Sequence, residues 1–550
     1  MEQSLLAHIS QQTQNGELTQ KLDRTQSTSH HLGENRDDYG DQKELLREKL
    51  ESCLFNAVSK CLETQNSKGA WLVVPDGRIF DTALVGYALS KTLDPKDINR
   101  IEQARRWVAN AKPQNHCPVA YLIENLLRKI LLGEDGIVDI SDPQLLTPVF
   151  ANRTALLYTL ALHAGLKVQA PFGEEVLRKK IAEMFEQCKH DQLKKLWSKV
   201  EIVSMHILLE AKADNWSAVQ TAHRELLLMQ SSDGSFAFNP ISTAMAYIAL
   251  SVAAPDSTAW QQSKLHLLNN QESDGSWRYF TNDVWDTVLT VRSFRGYPMF
   301  DLEALPSALN FLQSVQNSDG GWSFRTLVES DNDTTAAALL ALSESPQGEA
   351  VAPKALAYLA NQQMENGLWR TWQFKSDPPI ADVVAHVVSA LDAYKDKHSI
   401  SVLAAKQWLT EQYEENQTWQ SWYRIEPYLV TEISQALDMN CSTTQLAVKI
   451  LEDVQNPDGG WGFEPGSDSN ASATGLALAA LIRKGYRIDR SSVYKALEFL
   501  IETQQSDGTW QGFPQMYGPR PLLNHYQTHT QAFAVSGILY AWKSLSEGNR

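Results

Sequence analysis

Residues 316–322 read "QNSDGGW", and variants of this heptapeptide recur along the chain. They are "QNSKGAW" ending at Trp71, "QSSDGSF" at Phe236, "QESDGSW" at Trp277, "QMENGLW" at Trp369, a decayed "QYEENQTW" at Trp419, "QNPDGGW" at Trp461 and "QQSDGTW" at Trp510. From Phe236 onward the aromatic positions lie 41 to 50 residues apart, enough for two helices and their loops per unit. A fixed period of this size signals stacked supersecondary units. Asp-Gly or Asn-Gly supplies the turn that stops a helix, because glycine accepts left-handed backbone. An aromatic ring two residues later can pack across the junction, so the Trp residues read as fasteners of helix pairs.

After each turn comes a second helical pattern rich in small and apolar residues: "STAMAYIALSVA" (242–253), "DTVLTVRSF" (286–294), "TTAAALLAL" (334–342), "VVAHVVSAL" (383–391) and "NASATGLALAALI" (470–482). Such segments suit helices packed on both sides. Helix pairs of this kind close into an α/α barrel with the more apolar helix inside. No run of alternating strand pattern competes, so the expected class is all-α.

The 550 residues allow two or three domains and a large core. A formal charge of −16 argues against a nucleic-acid partner. Five cysteines stand without CxxC spacing, which points to neither a disulfide framework nor a zinc cage. No charged-then-apolar leader opens the chain and no apolar run approaches ~20 residues, so a reducing cytoplasm without a membrane span is expected. The first 42 residues, rich in Gln, Ser, Thr and charge, read as a flexible tail. Within it "DDYGD" (37–41) imitates a metal motif of ionising terpene synthases, without any second metal motif to accompany it.

One stretch raises a chemical question. In "ESDNDTTAAALLALSES" (329–345), Asp331 and Asp333 directly precede two threonines and a smooth apolar helix. Acidic residues at a helix start satisfy free N–H groups and complement the dipole. A plain N-cap and a pair of carboxyls poised to move a proton both fit the residues alone. His386, on the apolar face of 383–391, is by itself as readily a core histidine as a functional one.

The repeats resemble the QW motifs of class II terpene cyclases, the family of squalene–hopene cyclases and copalyl diphosphate synthases, over residues ~45–550. "NDVWDTVLTVRSF" (282–294) is similar to the family's VWDT segment, and "DNDTTAA" (331–337) occupies the place of its DxDD acid motif. "ADVVAHVVSAL" (381–391) resembles the segment whose histidine braces the acid, and "IFDTALVGYAL" (79–89) the YDTA segment of the other barrel. "QSSDGSFAFNPISTAMAY" (230–247) resembles a segment of the cyclases that act on prenyl diphosphates.

The resemblance implies two α/α-barrel domains, γ and β, with γ inserted after the first β helix. Here that places the first β helix at 43–66, γ at 67–280 and β at 281–550, with the active site between the barrels. It further implies that Asp333 is the general acid, Asp331 its paired carboxylate and His386 its hydrogen-bonding partner. Thr334 stands where DxDD has its last aspartate, as in the DxDTT variants of bacterial members. Trp285 matches a ring that lines the cavity in relatives, and Phe324 is a second candidate for binding substrate. An acidic stretch, "LGEDGIVDISD" (132–142), resembles one in the γ domain of plant relatives, making Glu134, Asp135 and Asp139 candidates for the Mg²⁺ side of a diphosphate; an exposed acidic loop is the alternative.

Protonating an isolated alkene needs a carboxyl kept protonated near neutrality, about three units above its reference value and so roughly 4 kcal/mol of environment. Burial and a neighbouring carboxylate push that way, while the helix N-terminus favours the anion. The expected reaction is cyclisation of geranylgeranyl diphosphate to a bicyclic labdane-, halimane- or clerodane-type diphosphate, its diphosphate retained. The product would pass to a class I terpene synthase or a phosphatase. Farnesyl diphosphate giving a drimenyl skeleton, a squalene-type cyclase and a non-catalytic toroid that binds a protein are the alternatives. A protein prenyltransferase subunit would need an Asp–Cys–His zinc site, and no DxC pattern precedes a suitable histidine.

Overall fold

A computed structural model describes residues 36–550, apart from 92–93, 96, 135, 148–149, 191–193, 375–376, 396–398 and 548–550. Its contacts divide the chain into Met1–Leu46 and Arg47–Arg550. Of the smaller unit only the backbone start of the helix Arg36–Thr64 and the side chains from residue 43 are described. That helix begins inside the segment expected to be tail, where "RDDYGDQ" holds no proline to break it. "DDYGD" therefore lies on helical backbone, and residues 1–35 lie outside the described region.

The larger unit is built from two closed rings of helices. In the first, Ile79–Ser90, Pro118–Leu132, Ala151–His163, Leu196–Lys212 and Pro240–Ala253 each pack on the next, and the last packs on the first. In the second, Asp283–Phe294, Asn332–Leu342, Ala381–Ala393, Glu426–Leu437, Ala471–Arg483 and Gln527–Glu547 close in the same way. These helices are buried nearly all round, which is why their sequences lack a strong polar stripe. More amphipathic helices such as Ser442–Asp453 and Ser491–Thr503 flank them. Among the described residues strands are confined to two short pairs, Ile137–Asp139 with Lys167–Gln169 and Met516–Tyr517 with Leu523–Asn524.

The repeat is a staple with fixed wiring. In seven copies the indole Nε1 of the closing Trp donates to the carbonyl ten residues earlier: Trp71 to Cys61 (2.9 Å), Trp322 to Leu312 (2.7 Å), Trp461 to Leu451 (2.7 Å), and likewise at Trp277, Trp369, Trp419 and Trp510. In six of the seven the carbonyl belongs to the last helical turn, which lacks an intrahelical partner for it, while Leu409 lies further inside Leu403–Asn416. The opening Gln reaches two ways: Gln316 Nε2 donates to Gly320 O (2.8 Å) and to Val351 O of the next outer helix (3.2 Å). Gly320 sits at φ +92°, and a Cβ there would lie 2.5 Å from Lys354 O. In the decayed copy Gln417 adopts φ +57° in place of the glycine, and the Trp419 bond survives.

A second element ties five of the eight turns to the inner helix that follows in the ring. The backbone N–H of the closing aromatic donates to a threonine hydroxyl, as in Trp322 to Thr335 (2.9 Å), Trp461 to Thr474 (2.9 Å), Phe236 to Thr243 (3.0 Å), Trp277 to Thr82 (3.1 Å) and Trp71 to Thr287 (3.1 Å). Gln504 donates to Cys53 O (3.0 Å) and Gln65 to Ala304 O (3.0 Å). Residues 47–64 thus stand between Ser491–Thr503 and Leu305–Ser314 in the outer layer of the second ring. Among the described residues no helix is long and apolar enough to cross a membrane.

Candidate functional site

The acid stretch opens the inner helix Asn332–Leu342. Asp331 N donates to Trp322 O (2.8 Å) and Asn332 N to Thr371 O (2.9 Å), so two neighbouring repeat loops fix the helix start. Asp331 has extended backbone and is the N-cap. Its Oδ1 accepts from Thr334 N (2.6 Å), and its Oδ2 accepts from the Thr334 hydroxyl (3.0 Å) and from Ser323 Oγ (3.3 Å). The Asp331 residue is 1 % exposed. Burial pushes its carboxyl up to about 7, against the pull of Lys195 and with the help of Asp333.

Asp333 is held differently. Its Oδ1 lies 2.6 Å from His386 Nδ1, and its side chain keeps 12 % exposure while His386 is closed off. The two aspartates have thus divided the sequence's alternatives between them: Asp331 caps, and Asp333 presents a carboxyl with one oxygen bonded to imidazole. Thr334 completes the cap and does not touch the histidine.

Behind His386 runs a chain of charges. His386 Nε2 lies 3.2 Å from Glu432 Oε2, and Arg292 Nη2 donates to the same oxygen (2.7 Å). The Tyr428 hydroxyl stands 3.3 Å from Nε2. Burial favours neutral imidazole, but Asp333 and Glu432 outweigh it and push His386 up to about 9. Burial would likewise raise Glu432, yet Arg292 and His386 hold it well below the usual carboxylate range. One turn before His386, Asp382 accepts from Ser421 Oγ (2.7 Å) and Trp422 N (2.8 Å), and burial together with Asp333 lifts it to about 6.

Aromatic rings stand in front of the acid. Trp285 Nε1 donates to the Tyr423 hydroxyl (2.8 Å), and its ring lies 6.1 Å from that of His386. Tyr423 meets His529 Nδ1 (3.0 Å), whose Nε2 faces Asp286 Oδ1 (3.0 Å), so a buried chain fixes the Trp285 ring. Phe324 stacks on Phe280 at 4.8 Å and meets Trp372 and Trp197 edge-on or tilted at about 6 Å. Trp197 belongs to an inner helix of the first ring, so this cluster lies where the two rings meet. Lys195 is buried over the Trp372 face, 4.9 Å from its centroid, and donates to Glu329 O and Ser330 O (both 3.1 Å), just before the cap.

The squalene–hopene cyclase C-terminal domain family matches residues 241–376 and 373–539, together more than half of the chain. The chain belongs to the class II terpene cyclase family. It is 28 % identical over 282 residues to a drimenyl diphosphate synthase of Streptantibioticus cattleyicolor, an alignment covering 50 % of this chain and 46 % of that protein. A squalene–hopene cyclase of Zymomonas mobilis is 25 % identical over 359 residues, covering 52 % and 53 %. The matches thus span about half the length of these curated relatives. In fold, the ent-copalyl diphosphate synthase of Streptomyces platensis superposes with a TM-score of 0.61 over 90 % of this chain and 99 % of its own, at 15 % identity.

In this family member Asp331, Asp333, Thr334, His386 and Trp285 converge on one end of the second ring, and Phe324 joins the aromatic cluster beside them. Of the three acidic candidates in the first ring, Glu134 and Asp139 are described. Glu134 follows the glycine cap of Pro118–Leu132, and Asp139 is exposed in a short strand with its carboxylate engaged by Ser141 N (2.9 Å) and Oγ (2.6 Å). Asp135 lies outside the described residues. Among the described residues no three His, Cys, Asp or Glu side chains are grouped to hold a metal. The sequence reading missed Glu432, Arg292, Tyr428, Trp372, Trp197 and Lys195. Its available signal was charge at inward-facing positions of otherwise apolar helices, Arg292 in "DTVLTVRSF" and Glu432 in "YLVTEISQAL".

Proposed function

We infer that this chain is a protonation-initiated cyclase of a prenyl diphosphate, converting geranylgeranyl diphosphate into a bicyclic labdane-, halimane- or clerodane-type diphosphate. The observation that carries the reading is the asymmetry of Asp333: one oxygen bonded to His386, the side chain still partly open, and an aromatic cluster beside it. In this reading Asp333 gives the proton on its free oxygen to the terminal alkene. The imidazolium of His386 and the helix N-terminus stabilise the carboxylate left behind. Asp331 and Thr334 hold that helix start in place. Rings such as Trp285, Phe324 and Trp372 each stabilise the migrating cation by roughly 0.5–2 kcal/mol without capturing it.

The 67–280 γ and 281–550 β assignment, with 43–66 as the first β helix, belongs to this reading, supported by the two rings and the staple from Gln65 to Ala304. Mg²⁺ enters it as the counter-ion carried by the substrate's diphosphate; Glu134, Asp135 and Asp139 remain proposed contacts, and no chemical step depends on them. The proposed compartment is a reducing cytoplasm, in keeping with five free cysteines. The proposed pathway partner is a class I terpene synthase or a phosphatase that consumes the product.

A second reading is favoured by the relatives called drimenyl diphosphate synthase: farnesyl diphosphate as substrate, on the same acid. Purified protein with Mg²⁺ is incubated with geranylgeranyl diphosphate, farnesyl diphosphate or squalene, and products are identified by mass spectrometry after phosphatase treatment. A bicyclic C20 alcohol supports the first reading, and a drimane alcohol alone replaces it with the second. A cyclised triterpene moves the chain to the squalene branch. No product from any substrate, in folded protein, returns it to a binding toroid.

A further inference from the structure

The six inner helices of the second ring all start at the acid end, and their C-terminal halves line a cavity of about 700 Å³ on the ring axis. Arg292 and Glu432 both border it, with side chains 14 % and 11 % exposed. Arg292 Nη1 meets no protein acceptor there. On the other side Glu432 touches His386, which touches Asp333. A hydrogen-bonded line therefore runs through the ring wall from the far cavity to the acid, without entering the space in front of Asp333.

We propose that Glu432, fixed by Arg292, is a positioning residue of the protonation step that holds His386 doubly protonated, so that the imidazolium occupies Asp333 Oδ1 and confines the acid's proton to Oδ2. The inference rests on Asp333 being the acid. Its physical basis is a balance of charges in a closed site. A buried imidazolium between two carboxylates is stable, and a buried carboxylate beside an arginine needs no proton of its own. With Glu432 neutral, one counter-charge of His386 disappears, burial favours neutral imidazole, and an unprotonated Nδ1 would compete for the acid's proton. The charged and titratable groups around this pair are Asp333, Asp382 and Tyr428 on the acid side, and Arg292, Arg483 and Tyr540 on the cavity side. Among the described residues, the cations that contact the Glu432 carboxylate are Arg292 and the His386 imidazolium itself. The cavity borders this pair at the end opposite the acid.

The test compares wild type, Glu432→Gln, the double variant Glu432→Gln/Arg292→Met, and Asp333→Asn. Turnover is measured from pH 6 to 10 with geranylgeranyl and farnesyl diphosphates, and the His386 ring is followed by NMR on histidine-labelled protein, its signal identified by its loss in His386→Asn. The expected result for Glu432→Gln is a His386 titration lowered by at least about one unit, and kcat at pH 8 reduced about tenfold or more with KM within about twofold. The alkaline limb of the profile moves down with it. The double variant leaves no unpaired arginine, so it shows the same two changes if the single variant misfolds. Unchanged His386 titration and an unchanged pH profile in a folded Glu432 variant would overturn the inference while leaving the acid reading intact. Full turnover in Asp333→Asn would overturn the acid reading itself, and the inference with it.

Discussion

The start of the inner helix at Ile79–Ser90 and the start of Asn332–Leu342 follow one template. In each, a threonine (Thr82, Thr335) receives the backbone N–H of a repeat Trp, and an aspartate lies one or two residues before it. In the first ring Asp81 is fully buried and gripped by Arg78 four residues before the threonine, with Arg78 Nε at 2.6 Å and Nη2 at 3.1 Å. In the second ring the position of Arg78 is taken by Asp331, which accepts from its own helix, and Asp333 is left to a histidine 53 residues on. The difference teaches that an aspartate at this place is structural when its cation is permanent and local. It becomes available for proton chemistry when its partner is titratable and one of its oxygens stays open.

The largest expected break in that contrast is Asp333→Asn. Product formation should fall by about 10³-fold, within the span of general acid catalysis, with thermal unfolding close to wild type. Arg78→Met strips the first ring's aspartate of its cation and should cost about 3–5 kcal/mol of stability, read as a shift in denaturant midpoint. A pH series sharpens the contrast. The folded His386 value, about 9, lies above the ordinary 6.5, so its contribution to stability is complete below about 6.5 and is lost as pH rises through 9. Hydrogen exchange, corrected for its intrinsic rate, should therefore rise more in Ala381–Ala393 than in Ile79–Ser90 between pH 7 and 10. The smallest effect is expected for Trp461→Phe, which removes one indole bond to Leu451 O and imitates the natural Phe236; about 1 kcal/mol should be lost, by thermal unfolding.

Much of the fold was legible because the repeat writes local hydrogen bonds into local sequence. A Trp that bonds a carbonyl ten residues back, and a Gln that bonds a glycine four residues on, need no knowledge of the rest of the chain. The cap role of Asp331 was legible for the same reason. The pairing of Asp333 with His386 came from the family resemblance, since nothing local links residues 53 apart. Glu432 and Arg292, 140 residues apart, meet only because the ring closes, and neither segment announces the other. Trp197 and Trp372 escaped notice likewise: Trp197 reaches Trp372 and Phe324 from the other ring, a meeting no periodicity encodes. In the acidic stretch at 132–142, singled out by resemblance, Asp139 engages its carboxylate with Ser141 on its own turn.

The common direction of the six inner helices has a consequence beyond packing. Their N-termini converge on Asp333, while Arg292, Arg295, Arg483 and Lys543 gather around the C-terminal halves. Partial positive charge from six helix starts thus faces outward around the acid. In the proposed reaction a carbocation formed beside Asp333 meets that partial charge next to the carboxylate the acid becomes, and the aromatic rings beside it supply the further stabilisation. The barrel wall is thus an electrostatic element as well as a scaffold, its helix starts favouring the carboxylate that Asp333 would become in the proposed reaction.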